Sequence, residues 1–382
     1  MIDETWLAAV SDSEEAAELT ARLVSHKSYP GEEGDVQRAV AGWLEAQGLQ
    51  PELQSTEGDR PNVVARIENG DGPVLLFNGH VDTVLAVEGW SSDPWECRRD
   101  GDRLYGLGAC DMKAGVAAAM LATRALHRRP DLWRGTVIFS SVVDEEAYSI
   151  GARALINSGI QADACVVTES SWVRPALGSV GKTLVRAEVT GKAAHATWPA
   201  DGINAATEAA RFAAQLDDLP LGEHSRLAAS QCLLSFISGS AQYVITVPEK
   251  ANLVINRHIV PGETGETVLE QMRDLAASLG SPAEFGFEIA PPYYPPWEID
   301  PAHPFVGLFE DAYHVETGNV PDYGYRGFGD ANLFSADLGI PTIQFGPHGA
   351  NFHQADEWVD IPSIGGTIRV LLRMALEMLR RG

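Results

Sequence analysis

Four apolar runs in this chain end at a histidine or a carboxylate, and that pattern restricts the fold more than any other feature. Val74-Leu75-Leu76-Phe77, in "PVLLFNGHVDTV", reads as a fully buried strand. It delivers His80 and Asp82, and side chains at i and i+2 of an extended chain leave on one face. "TVIFSSVV" runs into Asp144, Glu145 and Glu146, and "ADACVV" runs into Glu169. "PTIQF" leads to a glycine-rich loop with His348 and His353. Continuous apolar strands belong to parallel sheets covered on both faces, where ligands bind beyond the carboxyl ends of the strands. Four chemically loaded strand ends therefore converge on one side of a sheet.

The segments between these strands have helical spacing, as in "AAELTARLV", "VQRAVAGWLEAQGL", "KAGVAAAMLATRAL" and "SIGARALINSG", with a turn at "SYPGEEG". Strand–helix alternation predicts an α/β catalytic domain, its mainly parallel sheet carrying helices on both faces. The character changes near residue 179. "KTLVRAEVTG" alternates like a half-exposed strand, the helix "GINAATEAARFAAQL" follows, and "KANLVINRHIV", "ETVLEQMRDLAASL" and "AEFGFEIA" complete a β-α-β-β-α-β succession of ferredoxin-like type. "PPYYPPWEID" reads as a stiff, semi-extended return. The expected organisation is a domain made of residues 1–178 and 291–382, with a smaller α+β domain, 179–290, inserted in it.

Lys and Arg number 28 against 53 Asp and Glu, a formal charge of 28 − 53 = −25, which excludes nucleic acid and anionic lipid as partners. No apolar run approaches the ~20 residues of a membrane span. The start, "MIDETWLAAVSDSEE", is acidic and lacks a signal-peptide pattern, so the expected location is the cytoplasm. Cys97, Cys110, Cys165 and Cys232 show no CxxC spacing and imply neither a thiolate zinc site nor a disulfide framework.

A metal-bound histidine usually donates its second ring N–H to a carboxylate, and His80 with Asp82 supplies both parts. "YGLGACDMKAG" contains Gly106-x-Gly108 ahead of a helix, but Asp111 stands where a dinucleotide fingerprint needs glycine. A carboxylate there repels phosphate and suits a metal ion, with Lys113 nearby as a balancing charge. This counts against a nucleotide-dependent oxidoreductase. Three acids in succession at Asp144–Glu146 repel one another, and a divalent cation compensates most directly. Adjacent residues face differently, so one glutamate can ligate while the other reaches substrate as a general base. Ligands of His, Asp and Glu type without thiolates describe a two-metal hydrolase site.

These motifs resemble the zinc-dependent amidohydrolases that include acetylornithine deacetylase, succinyl-diaminopimelate desuccinylase, aminoacylase and the glutamate carboxypeptidases. "GHVDTV", "GLGACDMKAG", "DEE", "TES", "GKAAHATWPADGINA" and "HQADEW" occur in the family's order and approximate spacing. The resemblance implies two divalent ions, zinc first and cobalt or manganese as substitutes. His80 and Glu169 would hold one ion, Glu146 and His353 the other, and Asp111 would bridge them. Asp82 would orient His80, Glu145 would be the general base, and the Asp111–Met112 peptide would be cis. It further implies that the inserted domain is a lid through which two chains pair, and that His195 stabilises the oxyanion, commonly in the partner's site.

The implied reaction is amide hydrolysis on a small N-acylated amino acid or related amine, with a dipeptidase or carboxypeptidase as the alternative within the family. A non-catalytic binder on this fold would have lost Glu145 or a ligand, and none is lost. Two positions depart from the family pattern. Ile245-Thr246-Val247-Pro248 stands where many relatives have Asn-x-x-Pro. In "INRHIVPGET", either Arg257 or His258 occupies the place of a substrate-gripping arginine, and spacing from Pro248 favours His258. Arginine and histidine are not equivalent anion binders, so the departure bears on the substrate and leaves the chemistry intact.

Overall fold

The computed structural model describes residues 2–238 and 245–380, with backbone alone at 238 and 325–326. The chain divides into two compact units, one of Met1–Gly178, Glu298–Tyr325 and Gly329–Gly382, the other of Ser179–Trp297 and Arg326–Phe328.

The larger unit is built on a mixed sheet with a parallel centre. Strand Val74–His80 lies between Gly135–Val142 and Ala164–Val167, parallel to both, and Thr342–Gln344 continues the parallel order beyond Ala164–Val167. Asn62–Asn69 pairs antiparallel on the outer side of Gly135–Val142, and Glu52–Gln54 antiparallel beyond it. Phe77 and Phe139 face each other in register and are fully buried. Burial of each such side chain contributes about 2–3 kcal/mol.

Helix Ala114–Arg128 is buried from Ala114 through Leu126, which its run of alanines permits. Gly115 decides how near its start comes to the sheet: a Cβ there would fall 1.8 Å from the carbonyl oxygen of Thr168. The missing side chain lets the turn carrying Asp111 close on the strand end carrying Glu169. The C-terminal helix Ile361–Met378 begins under an Asp360 cap, whose Oδ2 accepts the Ser363 N–H at 3.0 Å. Among the described residues, no helix is long and apolar enough to cross a membrane.

The smaller unit has a four-stranded antiparallel sheet in the order Ser230–Ser238, Lys250–Ile259, Gly181–Thr190, Glu284–Tyr294. Helices Ala205–Ala213 and Gly265–Ser278 complete a ferredoxin-like β-α-β-β-α-β chain, in which Ser230–Ser238 supplies a strand that the sequence reading did not single out. Phe212, Val268 and Met272 pack with Val185, Leu253 and Ile255 in its core. The last strand runs past the expected end at residue 290: Tyr294 still pairs with Lys182 after an irregularity at the cis Pro291–Pro292 peptide. The expected stiff return is thus partly strand, and the unit ends at Trp297.

Candidate metal centre

Each ligand candidate in the larger unit is placed by a strand end. His80 closes its strand opposite Val142, which brings the chain after Val142 alongside. Asp144 then turns that chain with φ 69°, its carbonyl accepting the N–H groups of Ala147, Tyr148 and Ser149. Its carboxylate receives Arg60 Nη1 at 2.6 Å and the Tyr148 N–H at 3.1 Å. Arg60 also meets the buried Glu33 at 3.1 Å. One of the three consecutive acids is therefore neutralised by an arginine, not by a cation in the site. The turn leaves Glu145 and Glu146 facing His80 and His353.

Nε2 of His80 lies 3.5 Å from Asp111 Oδ1, 3.5 Å from Glu169 Oε1 and 3.9 Å from Glu145 Oε2. Nε2 of His353 lies 3.4 Å from Asp111 Oδ2 and 3.2 Å from Glu146 Oε1. Asp111 thus presents one oxygen to each imidazole. His80 Nδ1 faces the Asp82 carbonyl at 3.1 Å and its carboxylate at 3.4 Å. The other Asp82 oxygen accepts the Glu146 N–H at 2.9 Å. The Asp111–Met112 peptide is cis.

Divalent ions fit this cluster. Among the described residues, His80 Nε2 is buried without a hydrogen-bond partner, an arrangement that is costly for a polar nitrogen unless a ligand completes it. His80, Asp111 and Glu146 each offer one donor atom within 4.8 Å of the others. Nitrogen and carboxylate oxygen donors without thiolate suit zinc, cobalt and manganese.

The electrostatics agree. Burial raises the Glu145 carboxyl well above its usual range, helped by Asp330, Glu169 and Glu146 against the His80 charge. Burial and the Asp111 charge push Glu146 up to about 7. Burial also opposes ionisation of Asp111, but the His353 and His80 imidazoles that face it outweigh burial and hold this carboxylate below its usual value. Hydrogen bonds to Asp111 and Glu146 lift His353 to about 10. Four carboxylates, Asp111, Glu145, Glu146 and Glu169, thus meet at two imidazoles, a concentration of negative charge that a divalent cation offsets most directly.

The structure brings His80, Asp82, Asp111, Glu145, Glu146, Glu169 and His353 together in one unit. It leaves His348 aside, with its ring 5.5 Å from Trp358. Lys113 is fully buried, and its Nζ donates to the His26 carbonyl; burial lowers it to about 7, against the opposing pull of the Glu357 and Asp82 charges.

Four contributors went unrecognised in the sequence. Arg60 and Glu33 look like loop charges until the fold pairs them. Glu357, in "HQADEW", is 1% exposed and accepts the N–H groups of Gly108, Cys110 and Asp111 at 2.9, 2.8 and 2.9 Å. Asp330 is buried beside Asn78, whose Nδ2 lies 3.4 Å away, and burial raises it to about 6. Gly329 next to it lets the base sit close to the chain: a Cβ there would fall 2.4 Å from Glu145 Oε1.

In the smaller unit, Arg257 is fully buried, with Nη2 on the Pro220 carbonyl and Glu263, each at 2.9 Å. Its guanidinium is thus committed to that unit's interior, which removes it as a substrate contact. Ser230, His258, Lys182 and Tyr294 form a row in register across all four strands. Phe328 stacks on that row, 5.9 Å from the His258 ring and 4.5 Å from Lys182 Nζ. His195 is exposed, with Nδ1 accepting the Thr197 N–H at 3.2 Å and its ring 5.2 Å from Trp198.

The chain is similar along its length to known proteins. It is 29% identical over 373 residues to succinyl-diaminopimelate desuccinylase of Paracoccus denitrificans (strain Pd 1222), covering 94% of this chain and 97% of the relative. To acetylornithine deacetylase of Aliivibrio fischeri (strain MJ11) it is 34% identical over 191 residues, 49% of this chain and 50% of the relative. The fold matches the crystal structure of aminopeptidase PepT from Bacillus cereus ATCC 10987 with a TM-score of 0.79 at 21% identity, covering 96% and 99% of the two chains. The model of peptidase family M20/M25/M40 matches residues 76–377, from the His80 strand to the C-terminal helix, and the chain belongs to that family as a metal-dependent amidohydrolase.

Proposed function

We propose that this protein removes the acyl group from a small N-acylated amino acid or related amine, using two divalent ions, zinc first among them. The observation that carries this reading is Asp111, whose two carboxylate oxygens face His80 and His353 at 3.5 and 3.4 Å. On this reading Asp111 is the shared ligand, His80 and Glu169 complete one site, and Glu146 and His353 complete the other. Ions so held supply Lewis acidity, polarising a carbonyl and acidifying water.

The chain's own groups do the rest. Asp82 fixes the His80 ring through Nδ1, which aims Nε2 into the site. Glu145 takes a proton from the attacking water and passes it to the leaving amine nitrogen as the C–N bond breaks, leaving a carboxylic acid and a free amine. His258 and Lys182, two basic groups side by side in a chain of charge −25, are proposed to receive the substrate's carboxylate.

Residues 179–290 are proposed as a lid and dimerisation domain, which carries His195 to the oxyanion of the neighbouring chain's site. The edge strand Ser230–Ser238 supports pairing, since it exposes Leu234 and Ile237 at 57% and 61%. The cytoplasm is the proposed location. The test is hydrolysis by zinc-loaded protein across N-acetyl, N-formyl and N-succinyl amino acids and simple dipeptides. Turnover of N-acyl amino acids supports deacylation; turnover of dipeptides alone replaces it with a peptidase. No turnover of any member with zinc bound overturns both.

A further inference from the structure

The loop that carries Asp111 has little secondary structure of its own to hold it. The short strand Arg103–Tyr105 ends beside the strand Trp358–Asp360, with Tyr105 opposite Trp358. From there the chain runs through Gly106 to Asp111, and one residue takes most of its backbone donors. The carbonyl of Glu357 accepts the Gly106 N–H at 3.0 Å. Its carboxylate accepts Gly108 on Oε2 and both Cys110 and Asp111 on Oε1. Four N–H groups of a six-residue stretch end on Glu357.

Glu357 also closes the loop that carries His353. Asn351, His353 and Asp356 in that loop all have positive φ, 64°, 58° and 57°. The Asn351 side chain donates to the Asp356 carbonyl at 3.0 Å, and Asp356 Oδ1 accepts Ser91. Glu357 follows at once. The two loops therefore leave from a single junction, and the carboxylate at that junction determines where the Asp111 backbone lies relative to the His353 backbone.

We propose that Glu357 is a positioning residue that locks the Asp111 loop to the His353 loop and so sets the spacing of two ligands of one ion. This rests on the reading that Asp111 and His353 hold metal. Both oxygens of the carboxylate are occupied by donors, and glutamine offers one acceptor oxygen and an NH₂ donor in their place. In Glu357→Gln at least one N–H then faces another donor, and the loop shifts with little change in side-chain volume.

The test is a titration of apo protein with cobalt(II), followed by calorimetry and the visible spectrum, for wild type, Glu357→Gln and Glu357→Asp, with circular dichroism to check folding. The proposal expects two ions in wild type, and in the variants one ion bound ~10–100-fold more weakly with an altered cobalt spectrum, as for other groups that orient metal ligands. Variants with wild-type affinities and spectrum that merely unfold at lower temperature would make Glu357 a structural residue and overturn it. Two variants that both fail to fold also overturn it, because a lock on local loops is not required for the core. Wild type that binds no cobalt overturns the metal reading itself, which separates the two failures.

Discussion

Asp82 and Glu146 are joined directly: a carboxylate oxygen of Asp82 accepts the Glu146 N–H at 2.9 Å. The same residue faces His80 Nδ1 through its carbonyl at 3.1 Å. A buried residue just past the end of one strand thereby holds both the imidazole that precedes it, by its carbonyl, and the backbone of a glutamate 64 positions later, by its side chain. His80 and Glu146 belong to different metal sites in the proposed arrangement, so Asp82 holds the halves of the centre in mutual register.

Asp82→Asn is therefore expected to act on both ions. The amide oxygen can keep the Glu146 contact, but the negative charge beside His80 is gone. The expected outcome is a ~10–100-fold loss in metal affinity or kcat. Metal analysis after dialysis at graded free zinc, paired with initial rates, checks it.

Metal loading should depend on pH in a definite direction. Hydrogen bonds to Asp111 and Glu146 lift His353 to about 10, and His80 is held well above its usual value because its acidic neighbours outweigh burial. Both imidazoles are then protonated near neutral pH and must lose a proton to ligate. Apparent affinity should rise with pH, by about tenfold per unit for each proton released. Calorimetry in buffers of different ionisation enthalpy counts those protons; a binding constant flat from pH 6 to 9 would contradict the assignment.

Gly329→Ala tests the seat of the base. The added Cβ would fall 2.4 Å from Glu145 Oε1, so the carboxylate must move. A misplacement of about 1 Å can cost on the order of 10²-fold in rate. The expected result is a fall in kcat with both ions retained. Unchanged kcat would mean that Glu145 works from another position.

Arg60→Met tests the turn before the base. Arg60, with 11% of its side chain exposed, pairs with the buried acids Glu33 and Asp144. Removing one partner of a buried pair costs about 3–5 kcal/mol, because the remaining charge is left uncompensated. Urea unfolding should show that loss. Arg60→Met with Asp144→Asn should lose less, since one stranded charge is removed as well.

The strand ends were legible because burial on both faces leaves a continuous apolar run, and a polar residue at its end then stands out. His80, Glu145, Glu146 and Glu169 all emerged that way. Glu357 and Arg60 did not, since a charged residue in a loop reads as solvated until the fold shows what surrounds it. The choice between Arg257 and His258 was available in principle: Ala251, Leu253, Ile255 and Ile259 mark the buried face by alternation, and Arg257 shares their register. The apolar residues of that row put Arg257 on the core face and leave His258 on the other. The domain return moved from 290 to 297 because two prolines read as the end of a strand, and this one continues beyond them.

The most direct test of amide hydrolysis at this centre is the steady-state rate of zinc-loaded Glu145→Gln on the best N-acyl amino acid found for wild type, with bound zinc measured on the same sample. Two ions bound and kcat lower by ~10²–10⁴-fold is the predicted result. Wild-type turnover in that variant would show that Glu145 carries no proton in the reaction and that the proposed mechanism is wrong.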